Sequence, residues 1–514
     1  MKLKHFIILP MFFMLNNSCF ALDFGNISPI NPLDKNANAV QEVVQIPAFD
    51  LKRATLTRND IKNQYTIAMD KFINSNIRAS YEDFKILIES LPPSDYVYMR
   101  FSQEMASIGF FNLAELAISK IQDSEISSLL VEDVKRFYFP SYNLNRKDQI
   151  YFGEIYSNIM YNDQSREATA ELLKQTSLLA DCDYANYLVA FGSMKNGDIK
   201  QAKKYINEAI SKNPQNLNYK RLKAEILAQS DNSKEALSSL NEIKFKELNT
   251  VIFDRELHST EQYILYKTAK NDYWKKYHLA YYYYDKEELN KAIMTLQTSI
   301  SGKKSINKEV YALSAKVYFD MKEYEKAQDY ALKAVDIDSS NSLSLIILGD
   351  CAYRNKNYDE AQKYYKKAAG KDSTFESQIK LARTYQQQNN IQKAKDIYSK
   401  ILKVSSKIYE AYYQMALLEK DREITYLKKA ISINPNFKDG WLDLARTEIN
   451  KDNFEKALSY LNIAKYIDDN DYRYYYYNGL VLKNKGLSAA ANKSFEQCIN
   501  LNPEYTPAKE ELNI

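Results

Sequence analysis

Beyond its first 21 residues this 514-residue chain has two histidines, His258 and His278, and three cysteines, Cys182, Cys351 and Cys498. A zinc or iron centre needs three or four such ligands at close spacing, and neither histidine has a Cys or His neighbour at that spacing. Each is expected to serve packing or the surface. The cysteines are too far apart and too few to form a disulfide framework, so each is expected to be a small buried hydrophobe. Acidic pairs occur, as in "KEELNK" (Lys286–Lys291), but solvated helix faces generate these without any acid–base role. The sequence carries no phosphate-binding loop, no G-x-S-x-G turn and no glycine-rich dinucleotide turn. No catalytic residue, cofactor or metal is therefore expected, and the chain reads as a non-enzyme.

What the chain has in excess is tyrosine, 43 residues, four of them consecutive (Tyr281–Tyr284) in "HLAYYYYDKEELNKA". Tyrosine is rigid and amphipathic, with a polar tip on an apolar ring, so its chemistry is that of an interface anchor. Successive side chains of a helix point in different directions, so one core-facing stripe cannot account for four in a row.

The elements that position these residues are helical. Only 11 glycines are present, against about 7% in an average protein, which disfavours all-β and nucleotide-binding folds. Lys2 and Lys4 precede the ten-residue apolar run "FIILPMFFML", and "CFA" follows, with Cys19 and Ala21 at the key positions. Residues 1–21 are accordingly expected to be a signal peptide, too short to span a bilayer, which places the protein in the periplasm or outside the cell. The alternative is an outer-membrane lipoprotein anchored through Cys19. It is disfavoured because Asn16 stands where such signals carry an aliphatic residue. Without Lys2 and Lys4, Lys+Arg falls from 70 to 68 against 66 Asp+Glu, a formal charge of +2 with the signs interspersed. Nucleic acid is not an expected partner.

The chain repeats itself. Tyr475, Asn478, Gly479, Leu482, Ala491, Phe495 and Pro503 share a frame with Trp441, Leu444, Ala445, Ala457 and Leu461. Leu345, Leu348, Gly349, Ala361 and Tyr365 fit it too, as do Leu279, Ala280, Tyr283, Ala292 and Leu296. This spacing resembles the tetratricopeptide repeat family, W-x2-L-G-x2-Y, then A-x3-F, then P, with a period of 34 residues. Small residues at positions 8 and 20 let two helix backbones approach, and larger apolar residues at 4, 7, 11 and 24 fill the space between them. Proline at position 32 ends the second helix, as at Pro214, Pro435 and Pro503. The resemblance implies an all-α, right-handed superhelical solenoid of about 12 helix-turn-helix repeats, in two halves.

The expected organisation is a signal peptide (1–21), a flexible lead-in (22–60), a degenerate N-terminal array (61–250), a connecting helix (251–272), a C-terminal array (273–505) and a tail (506–514). The first array holds repeats at 61–94, 95–128, 149–182, 183–216 and 217–250, with an extra helix at 129–148. The second holds 273–307, 308–341, 342–374, 375–408, a shortened 409–437, 438–471 and 472–505.

In the family, positions 2, 5, 9, 12 and 13 of each first helix line a concave groove. The resemblance therefore places Tyr184, Tyr187, Phe191, Trp274, Tyr277, Tyr281, Tyr284, Phe319 and Tyr353 on a partner-binding wall. Within the YYYY run, Tyr281 and Tyr284 should face the groove. Tyr283 should be the core aromatic, and Tyr282 should pack toward an adjacent repeat. A purely packing role is the competing reading for each. The lysine–asparagine set with which some family members grip a terminal carboxylate is absent, since the corresponding positions include Tyr187 with Phe191, Arg221 with Glu225, and Tyr277 with Tyr281. The expected function is an exported scaffold that binds a protein or peptide partner through an aromatic groove, in envelope assembly or secretion. The alternative is a polysaccharide-handling protein of the envelope, whose aromatic rings would stack on a glycan.

Overall fold

The computed structural model describes residues 56, 58–91, 95–121, 124–230, 232–246, 253–300, 307–372 and 374–514. The expected signal peptide, Cys19 and nearly all of the lead-in lie outside the described residues. The described helices run in chain order. The first are α1 (Arg58–Ile73), α2 (Ile77–Ser90), α3 (Asp95–Ser107), α4 (Phe111–Ile118) and α5 (Ser124–Tyr138). Next come α6 (Arg146–Met160), α7 (Ser165–Lys174), α8 (Thr176–Asp181), α9 (Asp183–Lys195) and α10 (Ile199–Lys212). They continue with α11 (Leu217–Gln229), α12 (Ser233–Lys246), α13 (Asp254–Thr268), α14 (Asp272–Asp285) and α15 (Leu289–Ile300). Then follow α16 (Lys308–Asp320), α17 (Tyr324–Ile337), α18 (Ser342–Arg354), α19 (Tyr358–Ala369), α20 (Glu376–Gln387) and α21 (Ile391–Val404). The last are α22 (Tyr409–Leu418), α23 (Glu423–Ile433), α24 (Lys438–Ile449), α25 (Phe454–Ile467), α26 (Tyr472–Asn484), α27 (Ser488–Leu501) and α28 (Thr506–Leu512). No strand occurs among the described residues.

The turn between paired helices explains the period. Ser75, Gly109, Asp163, Gly197, Glu287, Lys322, Lys356, Asn389, Asp452 and Gly486 all have φ between +51° and +86°. Each stands at position 15 of its repeat, as Lys356 does in the repeat starting at 342. At all of them but Asp163 the backbone closes in a Schellman motif. In the repeat at 308, Lys322 N–H donates to the Phe319 carbonyl and Glu323 N–H to the Tyr318 carbonyl, both at 2.9 Å. Only three of these ten residues are glycine, so the sequence does not announce a turn that ten repeats nevertheless make. Two of the following helices are capped by the side chain before them: Asp198 accepts from Gln201 N–H at 3.0 Å and Asn357 from Glu360 N–H at 3.4 Å.

Between paired helices the small residues sit where the frame requires. Ala280, Ala315, Ala382 and Ala445 are fully buried at position 8, and Ala292, Ala327, Ala361, Ala394 and Ala457 at position 20. Gly349 and Gly479 take position 8 where the opposing residue is a large ring, Tyr365 and Phe495 respectively.

The chain forms two compact units, which divide it differently from the expected arrays. The first contains the described residues up to Asn216 together with Trp441–Ile514, and the second is Leu217–Gly440. In the first unit α25 packs on α3, and the Tyr466 hydroxyl donates to the Leu56 carbonyl at 3.4 Å. Asp183, fully buried, accepts from Ser141 N–H (2.7 Å) and Tyr142 N–H (3.1 Å). It thereby ties the segment after α5 to the start of α9. In the second unit α13, within the expected connecting helix, packs on both α11 and α12. The helix after it, α14, packs on α13 as closely as on its repeat partner α15. The shortened repeat at 409–437 replaces the usual turn with a 3-10 turn, Lys420–Arg422. The expected tail contains α28.

Candidate functional site

The Asn271 side chain accepts from Tyr273 N–H at 2.8 Å and starts α14. That helix carries Trp274, Tyr277, Tyr281 and Tyr284 along one face, at the spacing that puts side chains side by side. Their rings form a continuous edge-to-face string. Trp274 lies 5.4 Å from Tyr277, Tyr277 6.0 Å from Tyr281, and Tyr281 5.8 Å from Tyr284. All four are half-buried, with one side on the core of the second unit. At the end of the string the Tyr284 hydroxyl donates to Asp320 Oδ2 at 2.6 Å, and the Lys316 ammonium sits 5.5 Å from the same ring. Burial first, and then the nearby Asp285 carboxylate, pushes the Tyr281 phenol up to about 12. Burial also raises Tyr277 and Tyr284, the latter with help from Asp320. At physiological pH the three tyrosines of the string are thus neutral.

Phe319 and Tyr353 are half-buried as well. Each leans on the residue that opens the next helix, Phe319 on Tyr324 (5.2 Å) and Tyr353 on Tyr358 (5.3 Å). Phe319 shares the core cluster of the α14 string, whereas Tyr353 belongs to the next one.

Tyr184, Tyr187 and Phe191 require a correction. They are 4%, 3% and 2% exposed, within an unbroken buried run from Asp183 to Met194. Tyr184 lies edge-on to Phe111 (5.0 Å) and Phe152 (5.5 Å), and its hydroxyl fills the space beside Gly109. Tyr187 stacks between Tyr184 and Phe191, and Phe191 stacks on Tyr156. These rings are core. In the tyrosine run, Tyr282 takes the deepest place, 9% exposed and 6.0 Å from Tyr263 of α13. Tyr283, expected to be the core residue, is half-buried with the Lys291 ammonium 5.7 Å from its ring.

The polar side of α14 was not legible in advance. His258 Nδ1 lies 2.7 Å from Asp285 Oδ2, His258 Nε2 lies 3.2 Å from Gln262 Nε2, and Gln262 Oε1 lies 2.9 Å from His278 Nδ1. Both histidines thus belong to one chain of hydrogen bonds between α13 and α14. Their faces could have been noticed, since His258 and Gln262 are four residues apart and His278 and Asp285 seven. Beyond Asp285, Arg221 bonds Glu225 at 2.7 Å and approaches Glu256 at 3.7 Å. Lys286, 3% exposed, sits among them, its ammonium held down by burial. The groove positions of α11, Arg221 and Glu225, therefore face α13.

Cys182, Cys351 and Cys498 are buried free thiols. Burial pushes Cys182 up to about 12 and the other two up to about 11, which makes them poor nucleophiles.

Antiparallel helix pairs in a constant frame, joined by one recurring turn, define a helical-repeat scaffold. Tetratricopeptide repeat family models match residues 194–247, 313–374, 376–405 and 472–505, and the chain carries tetratricopeptide repeats in both compact units. A DnaJ homolog subfamily C member 7 homolog of Dictyostelium discoideum is 22% identical over 192 residues. That match covers 33% of this chain and only 36% of the relative's length. Among solved structures, a tetratricopeptide repeat protein of Parabacteroides merdae is 17% identical, with a TM-score of 0.37, covering 47% of this chain and 97% of that one. The APC/C hetero-tetramer Cut9-Hcn1 is 13% identical, with a TM-score of 0.45, covering 89% of this chain and 96% of that one.

Proposed function

We propose that this protein is a non-catalytic exported scaffold that holds a protein or peptide partner on the aromatic face of α14, in envelope assembly or secretion. The observation that carries the reading is the Trp274–Tyr277–Tyr281–Tyr284 string. Core packing consumes Tyr184, Tyr187 and Phe191, but it leaves these four rings partly exposed. Rigid aromatic rings lose little side-chain entropy on binding, and the neutral hydroxyls of Tyr277 and Tyr281 can donate to a peptide backbone. Phe319, on α16, extends the same cluster. Export rests on Lys2, Lys4 and the apolar run Phe6–Leu15.

The test is crosslinking in intact cells followed by purification, comparing the native protein with a variant carrying Tyr277→Ala, Tyr281→Ala and Tyr284→Ala. The expected result is a co-purifying polypeptide that the variant loses while keeping its helical circular dichroism. Unchanged recovery of that polypeptide would remove the aromatic face from the account. Recovery of carbohydrate alone would replace the scaffold with the polysaccharide-handling alternative.

A further inference from the structure

Beside the aromatic string, and opening between α12, α13 and the start of α14, lies a cavity of about 350 Å³. Its walls are apolar, formed by Leu237, Leu265, Ala269 and the indole of Trp274. Lys270 and His278 are among its polar lining. Ligand pockets span roughly 300–1,000 Å³, so this one has room for a single ring and not for a cofactor.

The hydrogen-bond chain fixes what His278 offers to it. Asp285 Oδ2 accepts from His258 Nδ1–H, the tautomer that in a neutral ring leaves Nε2 as an acceptor. Gln262 must then turn its amide nitrogen to His258 and its oxygen to His278, which is the arrangement found. That oxygen requires a proton on His278 Nδ1. Burial lowers the His278 imidazole to about 4, so the ring is neutral at physiological pH, and Nε2 is left as a bare acceptor. Trp274 stacks on the imidazole, 5.8 Å away and tilted by 26°, which holds its plane.

We propose that this cavity binds one aromatic side chain of the partner polypeptide that carries a hydrogen-bond donor at its tip, a tyrosine or tryptophan, with His278 Nε2 accepting the bond. An apolar ring would fit but would bury the acceptor unpaired; a carboxylate would meet a lone pair at His278 Nε2, and Lys270 is the group in the lining that would favour it instead. The identity of this anchor rests on the scaffold reading. The pocket's chemistry does not, and it can be tested alone.

The full chain is labelled with 5-fluorotryptophan, which gives two fluorine resonances because only two tryptophans are present. Trp274→Phe identifies one of them. p-Cresol is titrated against 4-methylanisole, the same ring without a donor, and against 4-methylbenzoate, its anionic counterpart. The expected result is a saturable shift of the Trp274 resonance by p-cresol, with Trp441 unmoved and 4-methylanisole about tenfold weaker. His278→Phe should abolish that preference. Leu237→Phe, which fills the cavity without touching the hydrogen-bond chain, should abolish p-cresol binding. No shift of Trp274 up to the solubility limit of p-cresol, equal titration by p-cresol and 4-methylanisole, or preference for 4-methylbenzoate would each overturn the proposal. If p-cresol binds as expected but no polypeptide is captured at the aromatic string, the scaffold reading fails and the pocket stands.

Discussion

Gly349→Ala sets helix propensity against packing, and the two predict opposite signs. An alanine in the middle of α18 should be worth about 1 kcal/mol over glycine on propensity alone. A Cβ built on Gly349, however, lies 2.4 Å from Tyr365 Cε1 and 2.7 Å from its Cδ1, where real contacts do not go below 3.0 Å. The ring cannot swing aside. It is 1% exposed, and its hydroxyl donates to Asp350 Oδ1 at 2.6 Å. Asp350 is itself gripped by Lys380 at 2.8 and 2.7 Å. Overpacking of a fixed core costs about 1–3 kcal/mol and more where nothing yields, so a net loss of about 1–2 kcal/mol is expected. Urea denaturation followed by far-UV circular dichroism, with hydrogen exchange of residues 342–369, reads it. Adding Tyr365→Leu should restore part of the loss, because Ala280 with Leu296 and Ala445 with Leu461 fill the same two positions in other repeats. Ala382 does face a tyrosine, Tyr398, but that hydroxyl is held by Gln386, further along the helix, so the ring leans differently. Gly370→Ala is the control. It ends α19 with φ −71° and its nearest foreign atom is 3.9 Å away, so it should gain about 0.5–1 kcal/mol. If Gly349→Ala is stabilised as Gly370→Ala is, the close-approach reasoning is wrong.

Two further outcomes follow from single residues. Lys322 holds φ +64° at the turn after α16, and Lys322→Gly should raise stability by about 0.5–1 kcal/mol in a thermal melt, because relief of left-handed strain outweighs the extra chain entropy. His278 is held at about 4 against an ordinary 6.5, so the unfolded chain binds its proton first as pH falls. The stability it contributes is complete above about pH 6.5 and is lost as pH falls toward 4. For a half-buried ring that loss should be about 1–2 kcal/mol, discounted from a limit of about 3. Urea denaturation at pH 7 and pH 4.5 should show His278→Gln with a smaller acid loss than the native protein.

How much the sequence disclosed depended on how local each feature is. The repeat frame was readable because helix pairing is set by side chains a few positions apart. The left-handed residue fourteen after the repeat start, present at ten repeats, shows that the register holds even in the degenerate ones at 61, 95 and 149. Orientation toward an open wall was not readable, because it depends on what arrives from elsewhere. Tyr184 occupies a groove position in its own repeat, yet Gly109, Phe111 and Phe152 close around it. Arg221 and Glu225 occupy groove positions too, but α13 supplies Glu256 against them. The two histidines looked unremarkable one at a time and acquire a role only as the ends of a chain through Gln262. The contact of α25 with α3 joins segments with a whole compact unit between them, a distance that no periodicity encodes.

The central claim is that the α14 string is where a polypeptide is held. Its most direct test is a photoreactive benzoylphenylalanine placed at Tyr281 in the native cell, beside the same probe at the exposed Leu332 and Val404 of α17 and α21. Irradiation should give a discrete polypeptide adduct from position 281 and none from 332 or 404. An adduct pattern shared by all three positions, or no polypeptide adduct at 281, would contradict it.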